Sequence, residues 1–211
     1  RELADLHIPI VTIEREDKYV SSVNTDNYMG GVQATSLLLN HNCDVFIHLN
    51  SPTSPDVPAY GRIQGFLDIC QEHNLTHKII YRVLGNTYNQ IRTNLSEIID
   101  QLEQNYPGQR KGIFVSNDTD ANVLINLLIQ RYGKLPVDYY IVGFDDSPIS
   151  SEAVIPISTV GQHIDQIAHE AMKLLVSQMN ERKKRRPTPQ EEPIHKVVTP
   201  YLIRRATTEK E

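Results

Sequence analysis

GIFVSNDTDANVLINLLIQRYGKLPVDYYIVGFDD, residues 112–146, holds the plan of the chain in one stretch. GIFVS is an apolar run of strand length, NDTDANVLINLLIQRYGK has the apolar spacing of a helix, and YYIVGF is a second strand-length run closed by Asp145 and Asp146. Two strands separated by a helix-length crossover of at least about a dozen residues make a βαβ unit, the building block of a parallel sheet.

The alternation continues in both directions. PIVTIE (9–14) reads as a strand, and VSSVNTDNYMGGVQATSLLLNHN (20–42) carries a helix that begins near Asp26, with Asp26 or Thr25 as its cap. CDVFIHLN (43–50) reads as a buried strand, and YGRIQGFLDICQEHN (60–74) as a helix with Ile63, Phe66, Leu67 and Cys70 on one face. KIIYRVL (78–84) is the next strand, and NQIRTNLSEIIDQLEQNYPG (89–108) the next helix, stopped by Pro107 and Gly108. DQIAHEAMKLLVSQMNERKKRR (165–186) predicts a long helix, and KVVTPYLIRR (196–205) a final strand or hairpin. The class is α/β with a mostly parallel sheet. Such sheets hold ligands at the carboxyl ends of their strands, so the loops starting near Glu14, Asn50, Ser116 and Phe144 are the places for chemistry.

Composition removes several functions. A net charge of −5 over 211 residues gives no basic face for nucleic acid on this segment. Cys43 and Cys70 belong to no CxxC or Cys/His cluster and read as buried free thiols rather than zinc ligands or a disulfide. No run of about 18 apolar residues is present to span a bilayer, and RELADLHIPI lacks the order of a signal peptide, so a soluble, cytoplasmic chain is expected. The first residue is not Met, and the chain opens as if within a helix, which suggests a fragment. ERKKRRPTPQEEP (181–193) reads as the solvated, dipole-favoured end of the long helix and an exposed loop, with a nucleic-acid patch as the alternative.

Nothing nominates a catalyst. GxSxG, HExxH, GxxxxGK[ST] and GxGxxG are all absent, and the eight histidines are scattered without metal-ligand spacing. Asp145 and Asp146, adjacent in sequence, point in different directions and make a poor acid/base dyad; one is expected to hold the loop while the other faces a cleft. No metal and no cofactor is expected. Arg62 opens a helix after the loop SPTSPDVPAYG, where its rigid fork can grip hydroxyls or a carboxylate, or form an internal ion pair. Asp118 is placed to cap the helix after GIFVS, and Asn117 either caps as well or faces a ligand.

Seven motifs then occur in order: IPIVTIER (8–15), VNTDNYMGGVQAT (23–35), AYGRIQGF (59–66), GIFVSNDTDA (112–121), LPVDYYIVGFDDSPIS (135–150), PISTVGQHIDQIAHEAMKLL (156–175) and YLIRRATT (201–208). In order and spacing the series resembles the effector-binding domain of lactose-repressor-type (LacI/GalR) transcription regulators.

The resemblance implies a periplasmic-binding-protein-like fold of two α/β lobes joined by three crossovers, near residues 15–23, Gln162 and 187–196. One lobe, incomplete at its amino end, would hold residues 1–17 and 165–190; the other would hold 24–161 and 194–205, with 206–211 as a tail. The resemblance places Arg62, Asn117 and Asp145 on the ligand, with Gln162 and Glu14 bordering the cleft. Glu14 departs from the family's usual aspartate. Tyr60, Phe144 and Ile164 offer either stacking surface for a sugar ring or core. The implied partners are a sugar-like small-molecule effector, a second copy in a homodimer, and operator DNA through a helix-turn-helix outside this chain, with no membrane. The alternative is a solute-binding protein of a sugar transport system.

Overall fold

The computed structural model describes residues 8–75, 79–182 and 192–210. Its strands are β1 (Val11–Ile13), β2 (Ser21–Thr25), β3 (Val45–Asn50), β4 (Ile79–Val83), β5 (Lys111–Val115), β6 (Tyr139–Asp145), β7 (Ser158–Gly161), β8 (His195–Val198) and β9 (Tyr201–Ile203). Its helices are α1 (Asn27–Asn40), α2 (Gly61–Glu72), α3 (Tyr88–Asn105), α4 (Asp118–Tyr132), α5 (Pro148–Glu152) and α6 (Ile164–Arg182).

Two sheets result. The larger runs in the order β4-β3-β5-β6-β7-β9 and is parallel except for β9, which lies antiparallel to β7. Alternate side chains of β3 divide the core: Val45, Ile47 and Leu49 face the cluster built by α3 and α4, while Phe46 faces the cluster built by α1 and α2. Helix α3 buries Leu95, Ile98, Ile99 and Leu102, the i, i+3, i+4, i+7 stripe of an amphipathic helix. Each such side chain stabilises the fold by about 1.5–3 kcal/mol through burial. Thr87 and Gln90 form a reciprocal capping box at the start of α3. The smaller sheet, β1-β2-β8, is parallel throughout, and α6 lays Ile167, Ala171 and Leu174 against Val23 and Val198.

The sequence reading misses β2 and misplaces the lobe boundary. Ser21, Ser22, Asn24 and Thr25 are all buried, so this strand has no apolar run to announce it. Internal partners replace water: Ser22 Oγ lies 2.9 Å from His195 Nδ1, and Ser21 Oγ accepts from the Ile194 amide at 3.0 Å. The first passage between sheets therefore falls at Thr25–Asp26, after β2, and not within residues 15–23. KVVTPYLIRR is no hairpin: β8 joins β2 in the small sheet and β9 joins β7 in the large one, so residues 194–205 do not belong to one lobe. The basic run from 183 to 186, the first half of the expected third crossover and the first seven residues lie outside the described residues.

Of the expected tail, 206–211, the described residues 206–210 are packed against the larger sheet. Thr207 and Thr208 are buried, and Thr207 Oγ1 donates to the Ile141 carbonyl (2.7 Å) while accepting from the Ser158 amide (2.8 Å). They occupy the space beside β6 where β7 has not yet begun, which leaves backbone groups there in need of partners.

Candidate functional site

The two sheets bring their carboxyl ends together, and a line of polar contacts crosses from one to the other. At the small sheet, Glu14 follows β1 with φ of 51°, and its Oε1 accepts from the Thr25 amide (2.5 Å) and hydroxyl (2.7 Å). Thr25 ends β2, and its hydroxyl also lies 2.6 Å from Gln162 Oε1, just beyond β7. Gln162 Nε2 donates to Asp145 Oδ1 at 2.6 Å, and Asp145 faces Arg62 Nη2 at 3.7 Å.

Arg62 is held from three sides. Its Nε donates to Asn27 Oδ1 (2.8 Å), its Nη1 to the Ser116 carbonyl (2.5 Å), and its Cζ lies 3.5 Å above the Phe144 ring. The local sequence makes this possible by bringing α2 against α1 with nothing between them. A Cβ on Gly65 would sit 2.2 Å from the Tyr28 carbonyl oxygen, and one on Gly31 would sit 2.3 Å from that of Arg62. Burial pulls the guanidinium below its ordinary range, and the charges of Asp145, Glu14 and Asp118 push it back.

The two aspartates after β6 separate through their backbones. Asp145 has φ of 104° and Asp146 of 50°, conformations that L-residues seldom adopt and that recur at ligand sites. The turn sends Asp145 toward Arg62 and Gln162. It sends Asp146 the other way, where Oδ1 accepts from Arg205 Nη2 (2.8 Å) and Ser150 Oγ (3.1 Å). Burial raises the Asp145 carboxyl above the usual carboxylate range, opposed by Arg62 and by the Gln162 bond.

The expected cap of α4 is reversed. Asn117, not Asp118, is the N-cap: its Oδ1 accepts from the Asp120 amide at 2.8 Å, and its Nδ2 donates to Asp120 Oδ2 (2.9 Å) and Ser51 Oγ (3.2 Å). Asn117 thus commits its amide to the loop, and it reaches Arg62 only through the neighbouring Ser116. Asp118 is buried against Gly143, accepting from Thr159 Oγ1 (2.7 Å), the Ser147 amide (2.9 Å) and Ser147 Oγ (3.1 Å). Burial outweighs these bonds and raises its carboxyl to about 6.

Phe144 is core, wholly buried beneath Arg62, whereas Ile164 is exposed and Tyr60 half-buried. Asn27, Ser116 and Ser51 were not foreseen; their side chains are generic until the fold places them beside Arg62 and Asn117. Thr25 was foreseen only as a helix cap, a role that Asp26 fills by accepting from the Met29 amide. Among the described residues no group of three or more His, Cys, Asp or Glu is placed to hold a metal ion, and no helix is long and apolar enough to cross a membrane.

Residues 35–208 match the family model of a periplasmic binding protein-like domain, and the chain belongs to that family. The resemblance read from the seven motifs is borne out by its relatives. The ribose operon repressor of Bacillus subtilis (strain 168) is 27% identical over 175 residues, which are 83% of this chain and 52% of the repressor. The chain spans about half the length of the curated relatives it matches. A regulatory protein of LacI family from Chloroflexus aggregans superposes with a TM-score of 0.77 at 26% identity, over 98% of this chain and 70% of the other. A LacI family transcriptional regulator from Enterococcus faecium with bound ribose superposes with a TM-score of 0.75 at 20% identity, over 94% and 70%, a likeness of fold.

Proposed function

We propose that this chain is the effector-sensing part of a bacterial transcription regulator that binds a small sugar where the two sheets meet. Arg62, Asp145, Gln162 and Glu14 would hold the sugar, with Asn117 ordering the adjoining loop. The observation that carries the reading is the polar line from Glu14 through Thr25 and Gln162 to Asp145 and Arg62. It joins residues of both sheets, so a ligand bonded to its members is felt by both. Carboxylate, amide and guanidinium groups are the donors and acceptors that pair with vicinal hydroxyls.

In this reading the protein binds and does not turn over its ligand. It works in the cytoplasm as a homodimer, with operator DNA held by a helix-turn-helix outside the chain. A sugar that bridges the sheets favours one relative arrangement, by no more than its difference in affinity for the two. The repressor names of the curated relatives favour this over a transport-associated binding protein.

Isothermal titration against mono- and disaccharides tests the site, repeated on Arg62→Ala and Asp145→Ala. Both variants are expected to lose most of the affinity; unchanged binding in both overturns the assignment.

A further inference from the structure

Asp118 takes no part in the proposed sugar contacts, yet it has no exposed surface and collects hydrogen bonds from several directions. Its Oδ2 accepts from the Ser147 amide (2.9 Å) and hydroxyl (3.1 Å), and its Oδ1 accepts from Thr159 Oγ1 (2.7 Å). All of these groups donate, and one of them is a backbone N–H that cannot turn round. The cluster is built for an ionised carboxylate.

Those bonds bracket the turn that aims Asp145. Thr159 Oγ1, which donates to Asp118, accepts from the Asp146 amide at 3.4 Å, and Ser147 follows Asp146 directly. The two aspartates, with φ of 104° and 50°, thus run between points fixed on one carboxylate, and such conformations persist where the surroundings hold them. Thr159 also lies in β7, which leads into Gln162, the residue whose Nε2 donates to Asp145 Oδ1. Asp118 therefore ties together the ends of β6 and β7 that carry both partners of that contact.

The arrangement lowers stability. Burial outweighs the hydrogen bonds and raises the Asp118 carboxyl to about 6, so at neutral pH the charge is kept against the preference of the fold. A side chain that lowers stability while it orders a neighbour has the pattern of a functional position.

We infer that Asp118 is a positioning residue: its ionised carboxylate holds the 145–147 turn so that Asp145 faces Gln162 and Arg62, and ligand affinity is linked to its ionisation. The inference takes the ligand role of Asp145 from the sugar-sensing reading above. A proton on Oδ1 turns the Thr159 hydroxyl from donor to acceptor and loosens one side of the turn. Affinity then rises with pH through about 6 and levels off above, opposite in sign to the effect of the same proton on stability. The other charges facing this region are Asp145 itself, Arg62 from α2 with the exposed Glu14 beyond it, and Asp146, which is paired with Arg205. They are common to the wild type and to Asp118→Asn, which keeps the shape and removes the charge, so a ratio of the two affinities isolates Asp118.

Two measurements on the 211-residue chain test this. In the first, D-ribose, D-xylose, D-glucose, sucrose and cellobiose are titrated calorimetrically into both proteins between about pH 5 and about pH 8. For a sugar that binds, the wild type is expected to be roughly tenfold tighter at the alkaline end and within about twofold at the acid end. A ratio constant with pH overturns the inference and leaves the sugar-sensing reading standing. The second measurement needs no ligand: the NMR signal of the Gln162 side-chain amide is expected to show a step near pH 6 that Asp118→Asn lacks. A profile unchanged by the substitution overturns the inference whatever the sugars do. Binding of none of the five sugars overturns the sugar-sensing reading, and the Gln162 step still decides whether Asp118 holds the turn. Thr159→Val keeps the charge and removes a bond that favours it, so it is expected to move the step to higher pH. A step that stays in place in this variant counts against the inference even where Asp118→Asn does not fold.

Discussion

The guanidinium carbon of Arg62 lies 3.5 Å above the ring of Phe144, a side chain with no exposed surface, while the guanidinium edge reaches Asn27, Ser116 and Asp145. A flat cation on a flat ring fixes the plane of the fork. Lysine keeps the charge but neither stacks as a plane nor reaches three partners. Arg62→Lys is therefore expected to weaken sugar binding by roughly 10- to 100-fold while the protein stays folded, measured by titration alongside a circular-dichroism melt.

Asp145 and Asp146 make opposite predictions. Asp146→Asn weakens the contact to Arg205 and should cost about 1–2 kcal/mol of stability while sugar affinity stays near wild type. Asp145→Asn should lower affinity and leave stability the same or slightly higher, because burial already disfavours its charge. Denaturant melts and titrations on both variants read out the two effects; the reverse pattern would mean that the roles are exchanged.

Gly143 has room for no side chain, since a Cβ there would lie 2.2 Å from Asp118 Oδ1. Gly143→Ala is expected to destabilise by about 1–3 kcal/mol, as overpacked cores do. Asp118→Ala in the same chain should recover part of that loss. A double-mutant cycle that gives simple additivity would remove the contact as the cause.

Asp118 also sets a pH dependence. Burial raises its folded-state carboxyl to about 6, above its unfolded value, so the folded protein binds the proton more tightly. Its contribution to stability is greatest in acid, falls as pH rises from about 4 to about 6, and is flat above. The melting temperature of wild type, compared with Asp118→Asn across this window, should decline with rising pH, with the slope reduced in the variant.

What the sequence discloses depends on how each element is stabilised. Strands such as β3, β5 and β6 are buried on both faces and read as apolar runs, and α3 displays its stripe, so the α/β alternation is legible. Strand β2 is equally buried but sets one apolar residue, Val23, among Ser, Asn and Thr, with Ser22 bonded to His195 from the far end of the chain, and no local pattern distinguishes it from a turn. At the site, Arg62 and the paired aspartates stand out by their position at strand and helix ends. The divergence of Asp145 from Asp146 rests on two positive φ values, and the choice of Asn117 over Asp118 as cap rests on the pocket that Gly143 opens. The contact from Thr25 to Gln162 spans 137 positions and exists only once both sheets are formed.

The closing residues have a practical bearing. Thr207 and Thr208 are tied to Ser158 and Ile141, and Lys210 Nζ donates to the carbonyls of Pro136, Val137 and Tyr139. Residues 207–210 are thus a clasp on the amino ends of β6 and β7, the same strands that carry Asp145 and lead into Gln162. Replacing Thr207 and Lys210 by alanine loosens that clasp and reaches the meeting point of the two sheets from the opposite end of those two strands.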